Sequence, residues 1–257
     1  MSSTPRLFVT ARLADGETIA LDDEQSNYLL RVLRLASGAP VRVFNGRDGE
    51  WLAAIGAVHG KRAELVPQRQ QRVQPNPAGT APVLLFAPVK KAETDFIVEK
   101  ATELGAAQIC PVLTDRTQTR TVRLDRFHKI ALEAAEQTER LDLPEIADLV
   151  PLATALDRRA PGTRIIFCDE AGDEADAPWG GETGRAGPIA DILAALGDAP
   201  VAILIGPEGG FTPEERHWLR GRGDTLAVSL GPRILRAETA VVAALSVWQA
   251  LKGDWRQ

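Results

Sequence analysis

Residues 201–215 read VAILIGPEGGFTPEE: five apolar residues, a loop with three glycines, then the start of a helix. An uninterrupted apolar run of this length fits a strand buried on both faces, as in a parallel sheet covered by helices. Thr212 is placed as an N-cap, Pro213 at the first helical position and Glu215 as the reciprocal partner of a capping box. Open parallel sheets bind ligands at the carboxyl ends of their strands. Three glycines at such an end, Gly206, Gly209 and Gly210, let the backbone bend sharply and approach a ligand closely, with positive φ expected at Gly209. The loop matches neither G-x-G-x-x-G nor G-x-x-x-x-G-K-[ST], it holds no lysine, and Glu208 would repel a phosphate. It suits a ligand without phosphates, or one with a cationic or hydroxyl-bearing part.

The same rhythm of strand and helix extends on both sides. TLAVSL is followed by GPRILRAETA, in which Ile234, Glu238, Val241, Val242, Leu245 and Trp248 fall on one helical stripe. Glu238 thus interrupts a buried face near a helix start, where the macrodipole favours a carboxylate. Arg236 stands close enough in sequence to pair with it or to reach an anion. A third strand end, Cys168-Asp169-Glu170-Ala171, is acidic but carries little alone. Upstream, VLLFAPV precedes a helix with Phe96, Ile97, Lys100, Ala101 and Leu104 in a stripe ended by Gly105. AQICPVL precedes another with Phe127, Ile130, Ala131, Ala134 and Leu141. The segment 171–187, rich in Gly, Asp and Glu, reads as a surface loop. The expected fold class is α/β with a mostly parallel sheet.

That pattern stops at QPNPAGTAP, residues 74–82, where three prolines and a glycine read as a linker. Residues 1–73 are β-rich instead. RLFVT and the runs 41–44 and 51–55 are strands, the latter two joined through Asn45-Gly46-Arg47-Asp48-Gly49, a turn that tolerates positive φ. One helix is expected over DDEQSNYLLRVLRLASG, with Asp22 as N-cap, Gln25 in a capping box and Gly38 at the end. This module carries 10 Lys+Arg against 8 Asp+Glu, whereas the rest carries 20 against 27. A phosphate-facing surface is one reading of the difference, and solvated charge is the other. Arg31 and Arg34, expected on one helix side, and Lys61 and Arg62 in a later turn are the candidate phosphate contacts. Arg116 and Arg120 would extend that surface.

Composition sets the outer limits. The 257 residues are 44% hydrophobic and 25% charged, with a net charge of −5, which excludes wholesale disorder and a uniformly basic nucleic-acid coat. No run approaches the roughly 18 apolar residues of a membrane span. MSSTPRLFVTARLADGE lacks the apolar core of a secretory signal, so a soluble, cytoplasmic protein is expected. Cys110 and Cys168 read as buried thiols, and three scattered histidines predict no metal site.

IGPEGGFTPEE together with LGPRILRAETA resembles the RsmE family, bacterial small-subunit ribosomal RNA methyltransferases of the SPOUT class. NYLLRVLRLASGAPVRVFNG, EKATELGAAQICPVLT and EAAEQTERLDLPEI extend the resemblance over nearly the whole chain. The chain departs from the family pattern at Ala237, often threonine, and at Asp115-Arg116-Thr117. The resemblance implies S-adenosylmethionine as methyl donor and N3 of a uridine in 16S rRNA, naked or in the 30S particle, as acceptor. It implies a PUA-like RNA-binding β-barrel over 1–73, a linker over 74–82, a methyltransferase domain with a trefoil knot over 83–257, and a homodimer. The implied cofactor residues are Ile205, Gly206, Glu208, Gly209 and Gly210 with Leu230, Gly231, Ile234 and Leu235. Arg236 and Glu238 are the catalytic candidates, the arginine for charge developing on the uracil and the glutamate as base or as a partner orienting it. Ribose 2′-O methylation and non-catalytic RNA binding are the competing readings.

Overall fold

In the computed structural model, which describes residues 4–75, 81–169 and 186–256, the chain divides into two units. The first comprises Met1–Asn76 and Ala135–Leu143, the second Pro77–Ala134 and Pro144–Gln257. Most of the 171–187 segment lies outside the described residues.

Strands β1 (Arg6–Phe8), β2 (Ile19–Ala20), β3 (Pro40–Phe44), β4 (Glu50–His59) and β5 (Arg62–Arg72) make one sheet in the order β1-β3-β4-β5-β2. Its alternation is clear in β3, where Val41 and Val43 enter a core with Leu7, Leu29, Ile55 and Leu65. Gly46 and Gly49, in the expected turn between β3 and β4, both have positive φ. The expected helix is shorter and of two kinds: α1 (Asp23–Asn27), then a π-helical turn over Tyr28–Val32. Asp22 caps it as expected by accepting from the Gln25 N–H. Gln25 does not reach back; its amide donates to the Phe8 carbonyl instead. Gly38 is not the stop. Leu35 N–H closes the end by donating to the Leu29 carbonyl, across Arg34 at φ +54°. Arg31 and Arg34 therefore do not share a helix side, because the helical turns end between them.

A buried ion cluster joins 135–143 to this sheet. Arg6 Nε donates to Glu50 at 2.5 Å, and its other nitrogens donate to the carbonyls of Ala135 and Arg140 at 2.5 and 2.6 Å. Arg72 also donates to Glu50, at 2.9 Å. The Arg6 guanidinium lies 3.9 Å from the centre of the Phe44 ring, and Phe44 packs with Ala135 and Leu141.

The second unit begins with β6 (Val83–Phe86), α2 (Lys91–Glu103), β7 (Gln108–Leu113) and α3 (Leu124–Gln137), whose last turn belongs to the first unit. β8 (Glu145–Ile146), β9 (Val150–Pro151), α4 (Leu152–Asp157), β10 (Arg164–Cys168) and α5 (Ile189–Ala195) follow. β11 (Val201–Ile205), α6 (Pro213–Arg220), β12 (Thr225–Val228) and α7 (Ala237–Lys252) complete it. The strand order is β12-β10-β11-β6-β7-β8, and every pairing is parallel, as expected of an α/β domain. Successive residues serve opposite faces: Leu84 and Phe86 pack with α2 and α7, Leu85 with α4 and α6. In α2 the buried stripe is Thr94, Ile97, Val98, Ala101 and Thr102. Phe96 and Lys100 face outward, the lysine paired with Glu99 and Glu103, so the expected stripe is rotated. Ile234 likewise precedes α7 and is exposed, so it is no part of that helix's stripe. Among the described residues no helix is long and apolar enough to cross a membrane.

Candidate active site

All five residues of β11 are buried, so the chain must turn at once on leaving the sheet. Gly206 permits this in a specific way: a Cβ there would sit 2.5 Å from the Phe211 ring. Phe211 is buried and packs edge-on against Phe167 of β10, ring centres 4.9 Å apart. Gly210 carries the left-handed conformation, φ +65°, and its N–H donates to the Pro207 carbonyl. Gly209 does not, so the positive φ expected there belongs to its neighbour.

The loop is braced from two sides. Thr212 and Glu215 form the expected capping box, and the second Glu215 oxygen accepts from Asp115 N–H at 2.9 Å. Arg116 donates to the Gly209 carbonyl at 2.9 Å, which gives this arginine a loop contact not foreseen from sequence. Below the loop, buried Asp169 accepts from Arg216 at 2.8 Å and from Arg220 at 2.9 Å, two residues one turn apart on α6.

These groups line a cavity of about 540 Å³, within the usual range of small-molecule sites. Ile205, Gly206, Glu208, Gly209, Gly210, Ile234, Leu235 and Arg236 all border it, together with Arg116, Cys168, Asp169, Phe211 and Arg216. Leu230, Gly231 and Glu238 are not among its lining residues. Gly231, at φ +113°, turns the chain between β12 and the rim, where Ser229 Oγ accepts from its N–H. Arg236 is the N-cap residue of α7, and its side chain makes no ion pair or hydrogen bond among the described residues. It is not paired with Glu238, which stands half-buried on the first helical turn, where its charge suits the helix end. Cys110 and Cys168 are both buried, and burial pushes the Cys110 thiol up to about 11 despite nearby Arg159.

The remaining RNA candidates are surface residues of one unit or the other. Arg31, Arg34, Lys61 and Arg120 are exposed, whereas Arg62 is engaged by Asp23 at 2.7 Å. Sequence reasoning missed Phe211 and Arg216 and gave Asp169 little weight. The only available signals were an acidic strand end and a phenylalanine directly after two glycines.

An RNA methyltransferase domain family matches residues 77–249, and an RNA methyltransferase PUA domain family matches residues 21–68. Ribosomal RNA small subunit methyltransferase E of Rickettsia conorii is 33% identical over 94% of this chain and 93% of its own length. The protein of that name from Synechocystis is 33% identical over 96% of this chain and 77% of its own. Among solved structures, ribosomal RNA small subunit methyltransferase E of Neisseria gonorrhoeae bound to S-adenosylmethionine aligns at TM-score 0.79 and 27% identity, covering 96% of this chain and 98% of that one. A Legionella pneumophila methyltransferase in complex with the same cofactor aligns at 0.74 and 28%, covering 96% and 97%. With a family match over most of its length and a relative of that identity over nearly all of it, the chain belongs to the ribosomal RNA small subunit methyltransferase E family.

Proposed function

We propose that this protein transfers a methyl group from S-adenosylmethionine to N3 of a uridine in small-subunit ribosomal RNA. The observation that carries the reading is the cavity at the end of β11, walled by the glycine loop and by residues 234–237. Its lining fits the cofactor. Ile205, Phe211, Leu235 and Ala240 offer apolar surface for a flat base, and Gly206, Gly209 and Gly210 expose backbone to a ligand. Among the described residues the cavity holds no lysine, and two of its three arginines are already engaged, Arg216 by Asp169 and Arg116 by the Gly209 carbonyl. That suits a sulfonium compound without phosphates. When bound, the cofactor supplies an electrophilic methyl group.

The chain's own contribution is to prepare the acceptor. The uracil N3–H is a weak acid, so the site must favour its deprotonated form. Arg236, at the cavity rim and without a partner of its own among the described residues, stabilises the negative charge that develops on the uracil oxygens. Glu238 holds the start of α7, and with it Arg236, through the helix dipole. Arg236→Ala is expected to lower kcat about a hundredfold with S-adenosylmethionine affinity nearly unchanged. A rise in the cofactor Kd at constant kcat would make Arg236 a cofactor residue instead.

Residues 1–73 act in this reading as the RNA-binding module and 83–257 as the methyltransferase domain, joined by 74–82, in a cytoplasmic homodimer acting on rRNA or the 30S particle. A trefoil knot is supported by two features. β10 lies between β11 and β12 although both follow it, and the Gly187 carbonyl accepts from Ser229 N–H. The test is to treat rRNA from a strain lacking the gene with enzyme and cofactor, digest it to nucleosides and identify the methylated atom. 3-Methyluridine is expected. A 2′-O-methyl nucleoside would transfer the protein to ribose chemistry, and absence of saturable cofactor binding by calorimetry would leave it a non-catalytic RNA binder.

A further inference from the structure

Arg34 sits at the position just past a helical end where the backbone is left-handed, and glycine is the residue that suits it. An arginine there strains the backbone, and strain of this kind is retained where a side chain serves a function. What surrounds it indicates which function. The four residues 31–34 are all exposed. Val32 is 62% exposed and Leu33 37%, with Tyr28 beside them at 37%. The π-helical turn over Tyr28–Val32, one residue wider than an α-helical turn, leads directly into this segment. Neither Arg31 nor Arg34 has an ion pair or side-chain hydrogen bond among the described residues. Three other arginines of the same unit are engaged, Arg62 by Asp23, Arg42 by Glu139 and Arg47 by the Thr10 carbonyl, whereas Arg12 and Arg69 are exposed but do not flank an exposed aliphatic pair.

We infer that the turn 31–34 docks on RNA, and that Arg34 is kept in a strained backbone because its guanidinium is needed against a phosphate. Two unpaired cations bracketing two exposed aliphatic side chains match an unpaired RNA segment. Phosphates meet the guanidiniums, and base or ribose faces meet Val32 and Leu33. The inference rests on the rRNA methyltransferase reading and narrows it to one turn.

The test uses the full-length protein with small ribosomal subunits, and the rRNA extracted from them, from a strain lacking the gene. Arg34→Gly and Arg34→Ala are each expected to weaken RNA binding about tenfold. Each should flatten the dependence of log affinity on log salt by about 0.7–0.9 units, the loss of one phosphate contact, with S-adenosylmethionine affinity unmoved. Arg34→Gly should melt about 2–4 °C above Arg34→Ala, because only glycine relieves the backbone. Val32→Ser with Leu33→Ser should weaken RNA binding at an unchanged salt slope. RNA affinity untouched by Arg34→Gly would overturn the inference, as would a lower melting temperature for that variant, which would make the arginine structural. A serine pair that altered molecular mass by light scattering but not RNA affinity would make the turn a protein contact. If the wild type neither binds nor methylates these RNAs, the proposed function itself fails.

Discussion

Gly206→Val is expected to abolish S-adenosylmethionine binding, raising Kd more than a hundredfold, and to remove methyl transfer with it. The first added carbon would stand 2.5 Å from the ring of Phe211, which is buried against Phe167 and cannot swing clear. The loop must then leave the β11 end, and the cavity wall goes with it. Overpacking of this kind costs about 1–3 kcal/mol, so the variant should still fold. Gly209→Val should do less. A Cβ there meets only Arg116, at ordinary contact distances of 3.5 and 3.6 Å, and no left-handed φ is violated. Combining Gly206→Ala with Phe211→Leu should recover part of the affinity that Gly206→Ala alone loses, because the clash belongs to the pair. Calorimetry on the folded variants decides it: wild-type affinity for Gly206→Val would remove this loop from the cofactor site.

Glu50→Gln should destabilise the protein by about 3 kcal/mol or more at neutral pH. The carboxylate is 2% exposed and balances Arg6 and Arg72, both within hydrogen-bond reach. Without it, the Arg6 guanidinium stays buried with backbone carbonyls as its remaining partners. The pH dependence gives a second readout. Burial pushes the Glu50 carboxyl up, but the hydrogen bonds and charges of Arg72 and Arg6 outweigh it and hold it below the usual glutamate value. A lowered folded-state pKa contributes stability that is complete above the unfolded value, about 4.3, and is lost as pH falls through the folded one. The gap in melting temperature between wild type and Glu50→Gln should therefore be widest near pH 7 and close as pH drops below 4. A gap independent of pH would show that packing, not charge, sets the cost.

The site was legible where local chemistry dictates structure. An apolar pentapeptide ending in Gly-Pro-Glu-Gly-Gly has few options besides a buried strand turning sharply at the sheet end, and Thr212 with Glu215 specifies the next helix. The second loop was legible in Ile234, Leu235 and Arg236, which border the cavity, and not in Leu230 and Gly231, which do not line it. What sequence spacing does not carry is the partner across space. Asp169 was an acidic strand end that carried little alone until Arg216 and Arg220, on α6, were found on it. The apolar stripe of α3 announces a buried face without saying which unit buries it. Phe127 and Ala131 join the core of the second unit, Ala135 that of the first, where Leu141, expected in the same stripe, packs from beyond the helix end. The π-helical turn was illegible because one extra residue in a helical path leaves the apolar count nearly unchanged.

That division of α3 has a consequence for synthesis. The ribosome completes residues 1–76 first, yet the segment that receives Arg6 and covers Phe44 ends at Leu143. At about 5–20 residues per second, the roughly 70 intervening residues take on the order of 3–14 s to appear. For that interval the nascent N-terminal sheet carries a buried-type arginine and an aromatic ring without their cover. The first unit is therefore finished late although it is made early, and a gene fragment ending at the linker would encode a domain that lacks one of its own walls.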